Sequence, residues 1–261
     1  MVKKKVQKTG ISHDELKKQY DEKRPSTERF CTEIHRQIKA IVDSASLGLG
    51  FPIQYRVKTW GSIKEKLTRL SLVLNSIDDL QDLVGVRIIL LYQRDVGRIC
   101  EFISNVFMIL EEYDTKERLS HDQFGYASRH MIVGLPPEWT SIPTLSGCKD
   151  LLAEIQVRTV SQHLWAEVSH HLQYKRKESV PDQILRSLYR ASALLESVDL
   201  ELERVLDNRL EYVKHVANVD QEENLNVNLL EQTLNRILPP QNKEENEDFD
   251  NLLIDLSFSF T

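Results

Sequence analysis

The chain has 261 residues, of which 41% are hydrophobic, and a formal net charge of −6; that length fits one large domain or a medium domain with an appendage, and the apolar share can supply a real core. No run of about 18 apolar residues exists to span a bilayer, and the lysine-rich start (Lys3, Lys4, Lys5, Lys8) is not followed by an apolar signal core, so a cytoplasmic protein without a membrane partner is expected. Cys31, Cys100 and Cys148 lie far apart and form no CxxC pair, which argues against a disulfide framework or a cysteine zinc site and leaves buried free thiols.

The net charge hides an asymmetry. Residues 220–261 carry ten acidic and two basic side chains, so the body of the chain is close to +2, with Arg56, Lys58, Lys64, Lys66 and Arg69 concentrated in one stretch. Anionic ligands suit that body.

In chain order, a basic segment (1–24) runs into a helix predicted over 13–45, where Phe30, Ile34, Ile38 and Ile41 recur at helical spacing and Gly48 and Gly50 mark the stop. Tyr55 to Lys58 reads as a short strand entering a turn at Gly61, and Ser62 as the start of a helix carrying Ile63, Leu67 and Leu70. The nearly continuous apolar run from Val84 to Leu91 is the best central strand. A helix is predicted from about Val96 to Leu110, a strand over 125–133, and a proline-marked loop at Pro136, Pro137 and Pro143.

Leu151 to Val157 then reads as a strand with Glu154, Gln156 and Arg158 alternating on one face. Thr159 or Ser161 can cap the helix that follows, on which His163, Glu167, His170 and Tyr174 share a face. Strands alternating with helices imply an α/β or α+β domain over roughly residues 25–180. From Pro181 to residue 217 a long amphipathic helix is expected, with Ile184, Leu188, Ala191, Leu195, Val198, Leu202 and Val205 forming a heptad seam. That seam suits packing on its own domain or contact with a second copy. Residues 218–261 form an acidic tail ending in apolar Leu252, Leu253, Ile254 and Phe258; such a composition favours a segment that orders only on binding.

Three further groups carry chemistry beside the Glu154 strand and its helix. Arg56, Lys58, Ser62 and Lys66 place cations around a hydroxyl on a strand-turn-helix, a phosphate-binding arrangement without the glycine spacing of a P-loop. Asp82 precedes the apolar strand and Arg87 lies on it, so that Asp82 and Glu154 could hold Mg²⁺ or handle a proton. Tyr126 and His130 share a strand face.

These motifs, Arg56-x-Lys58-x-x-x-Ser62-x-x-x-Lys66, Asp82-Leu-Val-Gly-Val-Arg87, Gly125-Tyr126-x-Ser128-x-His130 and Glu154-Ile-Gln-Val-Arg-Thr159 with His163, Glu167, His170 and Tyr174-Lys175, resemble the synthetase domain of the RelA/SpoT family over residues 56–175. The resemblance implies an α+β fold with a nucleotidyltransferase-like mixed sheet flanked by helices. It also implies Mg²⁺-dependent transfer of the β,γ-pyrophosphate of ATP to the ribose 3′-hydroxyl of GDP or GTP, giving (p)ppGpp and AMP. By that pattern Arg56 and Arg87 hold the adenine, Lys58, Ser62 and Lys66 bind the ATP phosphates, and Asp82 and Glu154 are the catalytic and metal-binding carboxylates. Tyr126 stacks on the acceptor base, with His130, Gln156 and His163 around the acceptor. Many relatives carry Lys where this chain has Asp122, which brings in the alternative of pyrophosphate transfer to the 3′ end of tRNA. There is no room for the family's hydrolase domain, so synthesis without hydrolysis is expected.

Overall fold

The computed structural model describes residues 10–115, 128–171 and 182–216, in a chain that divides into two compact units, 1–200 and 201–261. Five strands carry the first unit: β1 (Gln54–Val57), β2 (Val84–Leu90), β3 (Met108–Asp114), β4 (Arg129–Gly134) and β5 (Ala153–Thr159). They form one mixed sheet in the order β1-β2-β5-β4-β3, with β2 and β5 parallel and the other pairs antiparallel. The expected α+β class with a mixed sheet flanked by helices is what forms.

One face of this sheet is apolar. Val84, Val86, Ile88 and Leu90 of β2 and Ala153, Ile155 and Val157 of β5 are buried there beneath α1 (His13–Ala45) and α3 (Gln93–Val106). Phe30, Ile34 and Ile38 of α1 and Ile99 and Ile103 of α3 close the core with no solvent exposure. Each such side chain contributes roughly 1.5–3 kcal/mol by leaving water. A second cluster joins Leu16 and Tyr20 of α1 to Ile63 and Leu67 of α2 (Trp60–Leu70) and to Ile77, Leu80 and Leu83. The three cysteines are free and buried, and burial raises the Cys31 thiol to about 11.

Several boundaries differ from the sequence reading, among them β5, which runs Ala153–Thr159 instead of Leu151–Val157, and the start of α3, at Gln93 instead of Val96. Helix α2 starts two residues before Ser62, because Thr59 is the N-cap and its hydroxyl accepts from the Ser62 N–H. Helix α3 ends at Val106 rather than near Leu110: Phe107 turns extended, and Met108–Asp114 becomes an edge strand paired to β4. The run Phe107-Met-Ile-Leu110 fits either period, and only the partner strand decides between them. The strand predicted over 125–133 is described as Arg129–Gly134; residues 125–127 lie outside the described residues.

Helix α4 (Val160–His171) follows β5 directly, and α5 (Asp182–Val216) is the long helix expected after Pro181. Within the first unit the side of α5 turned inward is Leu188, Ser192 and Asp199, with Leu195 half-buried. Ile184, Ala191 and Val198, all on the predicted heptad seam, are exposed. The buried seam is therefore rotated from the apolar one, because it is anchored by a polar contact described below. In the second unit the described residues, 201–216, are helical; Val205 is exposed and Leu202 half-buried. The acidic tail lies outside the described residues. No described helix is long and apolar enough to cross a membrane.

Candidate active site

The other face of the sheet is polar. Side chains directly opposite one another across paired strands point the same way, so the registers set up two rows. Arg56, Gly85, Glu154 and Ile132 form one row, and Gln54, Arg87, Gln156, His130 and Tyr113 the next. Arg158, one step further along β5, lies beyond them. At the other end sit Lys58, just past β1, and Asp82, just before β2. Arg56, Lys58, Asp82, Gly85, Arg87, Glu154 and Gln156 line one cleft. Gly85 is its floor: a Cβ there would meet nothing within 4 Å, so it would stand in open cleft.

Two lysines converge on one carboxylate oxygen. Lys58 Nζ donates to Asp82 Oδ2 at 2.5 Å and Lys66 Nζ, from α2, at 2.7 Å. Burial would raise the Asp82 pKa, but the two ammonium groups outweigh it and hold the carboxyl below its ordinary value. Asp82 Oδ1 is buried with no hydrogen-bond partner among the described residues. Ser62 stands beside this group on α2, its hydroxyl 3.0 Å from that of Thr59. Its N–H is capped by Thr59, so the unpaired donor expected of a helix start at Ser62 is not there.

Glu154 is held from several sides. His130 Nδ1 lies 2.8 Å from Glu154 Oε1, Tyr113 donates to the same oxygen at 3.3 Å, and Gln156 Nε2 donates to Oε2 at 3.0 Å. Ser128 Oγ is 2.7 Å from His130 Nε2. The pattern is satisfied when Nδ1 carries the imidazole proton and Nε2 accepts from the serine. The Tyr113 ring stacks on His130 with centroids 4.9 Å apart and planes 15° apart. Burial would raise the Glu154 pKa, yet the bonds from His130 and Gln156 win and the group sits below the usual carboxylate range. Asp82 and Glu154 are thus both anionic at neutral pH.

The far end of the cleft is organised by α4. Thr159 and Gln162 form a reciprocal cap: Gln162 N–H donates to Thr159 Oγ1, and Thr159 N–H to Gln162 Oε1. Thr159 Oγ1 also donates to Asp199 of α5 at 2.7 Å, which is the polar anchor that turns α5. Gly50 closes against the first residue of α4; a Cβ there would lie 2.2 Å from Val160 Cγ2. Thr159→Val removes both the cap and the Asp199 bond and should cost about 1–3 kcal/mol in urea unfolding, whereas Thr159→Ser should recover most of it.

The structure brings together Arg56, Lys58, Lys66, Asp82, Arg87, His130, Glu154 and Gln156, with His163 on α4 at the Arg87 end, while Ser62 is exposed on α2 one turn before Lys66. Tyr126 and Asp122 lie outside the described residues, as do Tyr174 and the side chain of His170. The sequence reading missed Tyr113, whose hydroxyl reaches Glu154 from the opposite edge of the sheet. It also gave Arg158 and Glu167 no role of their own. Their signals were the alternation in β5 and the helical face of α4.

An open polar sheet face with lysines clustered on one carboxylate, and a second buried carboxylate across a glycine floor, defines an enzyme that handles phosphate groups. A family model described as a region found in RelA / SpoT proteins matches residues 55–179. The GTP pyrophosphokinase YjbM of Bacillus subtilis (strain 168) is 33% identical over 159 residues, covering 59% of this chain and 72% of that protein. The GTP pyrophosphokinase YwaC of the same organism is 29% identical over 164 residues, 57% of this chain and 71% of that one. The crystal structure of small alarmone synthetase 1 from Bacillus subtilis superposes with a TM-score of 0.61 at 28% identity, covering 74% of this chain and 98% of that one. The chain belongs to the RelA/SpoT family of pyrophosphotransferase enzymes.

Proposed function

We propose that the chain transfers the β,γ-pyrophosphate of ATP to the ribose 3′-hydroxyl of GDP or GTP, forming (p)ppGpp and AMP. The observation that carries this reading is the pairing of Asp82, gripped by Lys58 and Lys66, with Glu154 in one cleft. Support comes from small alarmone synthetase 1 of Bacillus subtilis, solved with its product pppGpp (TM-score 0.60, 28% identity) and with AMPCPP (TM-score 0.57, 26% identity).

In this reading Arg56 and Arg87 hold the adenine between their guanidinium planes, and Lys58, Ser62 and Lys66 take the ATP phosphates. A phosphate that takes Lys58 and Lys66 frees the Asp82 carboxylate, which would then be available to hold Mg²⁺. The residues fit Mg²⁺: Asp82 Oδ1 is a buried oxygen without a partner among the described residues, and Mg²⁺ is commonly held by one or two carboxylates plus substrate phosphates. Bound by Asp82 and Glu154, Mg²⁺ would neutralise phosphate charge as the reaction proceeds.

Glu154 accepts the proton of the 3′-hydroxyl as its oxygen attacks the β-phosphorus; the bond from that phosphorus to the α,β-bridging oxygen breaks, and AMP leaves with the electron pair. His130, Gln156 and His163 orient the acceptor, and Tyr126 stacks on its base. In-line placement and charge neutralisation supply most of the rate.

Purified protein with Mg²⁺ and γ-labelled ATP should label GDP or GTP and release AMP. Label appearing only on bulk tRNA would transfer the acceptor assignment to the tRNA 3′ end. Tyr113→Phe keeps the ring stack on His130 and removes one bond to Glu154; turnover should fall by up to about tenfold with unchanged KM, the scale of one net hydrogen bond.

A further inference from the structure

Four buried nitrogens at the α4 end of the cleft have no hydrogen-bond partner among the described residues: Arg87 Nε, Arg158 Nε and Nη2, and His163 Nδ1. The three residues come from three elements, β2, β5 and α4, and each brings one nitrogen toward the same neighbour. That neighbour is a single oxygen, Glu167 Oε1, which lies 3.3 Å from Arg87 Nη1, 3.7 Å from His163 Nδ1 and 3.8 Å from Arg158 Nη2. The last two separations exceed hydrogen-bonding reach. The Arg158 side chain is 6% exposed, while that of Glu167 is 56% exposed.

Folded proteins seldom leave buried polar nitrogens unpaired, and a buried guanidinium without partners is costly. Burial and the neighbouring Arg87 together lower the Arg158 pKa to about 10, although Glu167 opposes the shift. Two guanidinium groups and an imidazole ask for an anion with several acceptor oxygens. A tetrahedral phosphate oxyanion provides them, and guanidinium forks match it in geometry. Glu167 presents one oxygen to the cluster from a mostly solvated side chain, so it is easily moved aside. A neutral ligand or a cation has no counterpart there.

We propose that Arg158 and His163, beside Arg87, form a further phosphate-binding subsite of the cleft, and that Glu167 is the displaceable carboxylate that occupies it until a phosphate-bearing ligand arrives. The subsite deepens the nucleotide-transfer reading and rests on it for the source of the phosphate, which is either the acceptor's 5′-phosphates or the donor.

Inorganic pyrophosphate is the probe, followed through the imidazole NMR resonance of His163, assigned with His163→Gln. Titration should shift this resonance in the wild type. Glu167→Gln should bring the midpoint to about tenfold lower pyrophosphate by removing the competing charge, and Arg158→Gln should raise it about tenfold or abolish the shift. Glu167 is exposed, so its variant keeps the test open if Arg158→Gln fails to fold. An unchanged midpoint in Glu167→Gln overturns the proposal.

Kinetics separate the two sources. A higher KM for GDP alone in Arg158→Gln assigns the acceptor's 5′-phosphates, a higher KM for ATP alone assigns the donor, and no change in either rejects the subsite. If the wild type labels no guanosine nucleotide, the transfer reading fails by itself, and the His163 titration still decides the subsite.

Discussion

Glu154→Gln should leave a folded protein that binds ATP and turns over about 10²–10⁴-fold more slowly, the usual contribution of a positioned general base. The fold should survive because the isosteric amide can keep the network. Its carbonyl oxygen can take the Oε1 position, where His130 and Tyr113 donate, and its NH₂ can face Gln156, whose own amide can turn to present oxygen. What is lost is the charge and the lone pair that accepts the proton. Single-turnover AMP release measures the effect, with calorimetric ATP binding as the control. Wild-type turnover in the variant would remove Glu154 from the chemistry.

Asp82→Asn should lower turnover by about 10²–10³-fold, the scale of removing one electrostatic contact to a transferring group, and should raise the Mg²⁺ concentration needed for half activity. Metal-free ATP should bind as well or better, since Lys58 and Lys66 lose the carboxylate that competes with phosphate for them. That opposition between turnover and metal-free binding separates a metal-holding role from simple damage. A pH dependence accompanies it. The folded Asp82 pKa is depressed, so its stabilisation is present above the unfolded carboxylate range near about 4 and is lost as pH falls through the folded value. Urea unfolding of Asp82→Asn should show a weaker loss of stability in acid than the wild type.

The residues lining the candidate site were legible because each sits in a short local pattern. Arg56, Lys58, Ser62 and Lys66 follow strand and helix spacings, and Glu154 and Gln156 alternate on one strand, so the period alone puts them on a face. The helix boundary at Thr59 was less legible. Thr59 and Ser62 are both good capping residues, and only the bond from the Ser62 N–H to Thr59 Oγ1 distinguishes them. The heptad seam of α5 is real as apolar spacing, but burial within the first unit follows Leu188, Ser192 and Asp199, because Asp199 binds Thr159.

Sequence by itself determined the alternation of strands and helices, open between α/β and α+β, and the cationic and acidic members of the cleft, since periodicity and charge placement are properties of neighbouring residues; the motif resemblance added the α+β class and the family. Only the tertiary structure decided that Met108–Asp114 is a strand, that Tyr113 reaches Glu154 across β4, and that Arg87, Arg158 and His163 gather around one exposed carboxylate. Those facts depend on which strands pair and in what register. Pairing is settled by the whole sheet burying its apolar face against α1 and α3, and no local spacing encodes it.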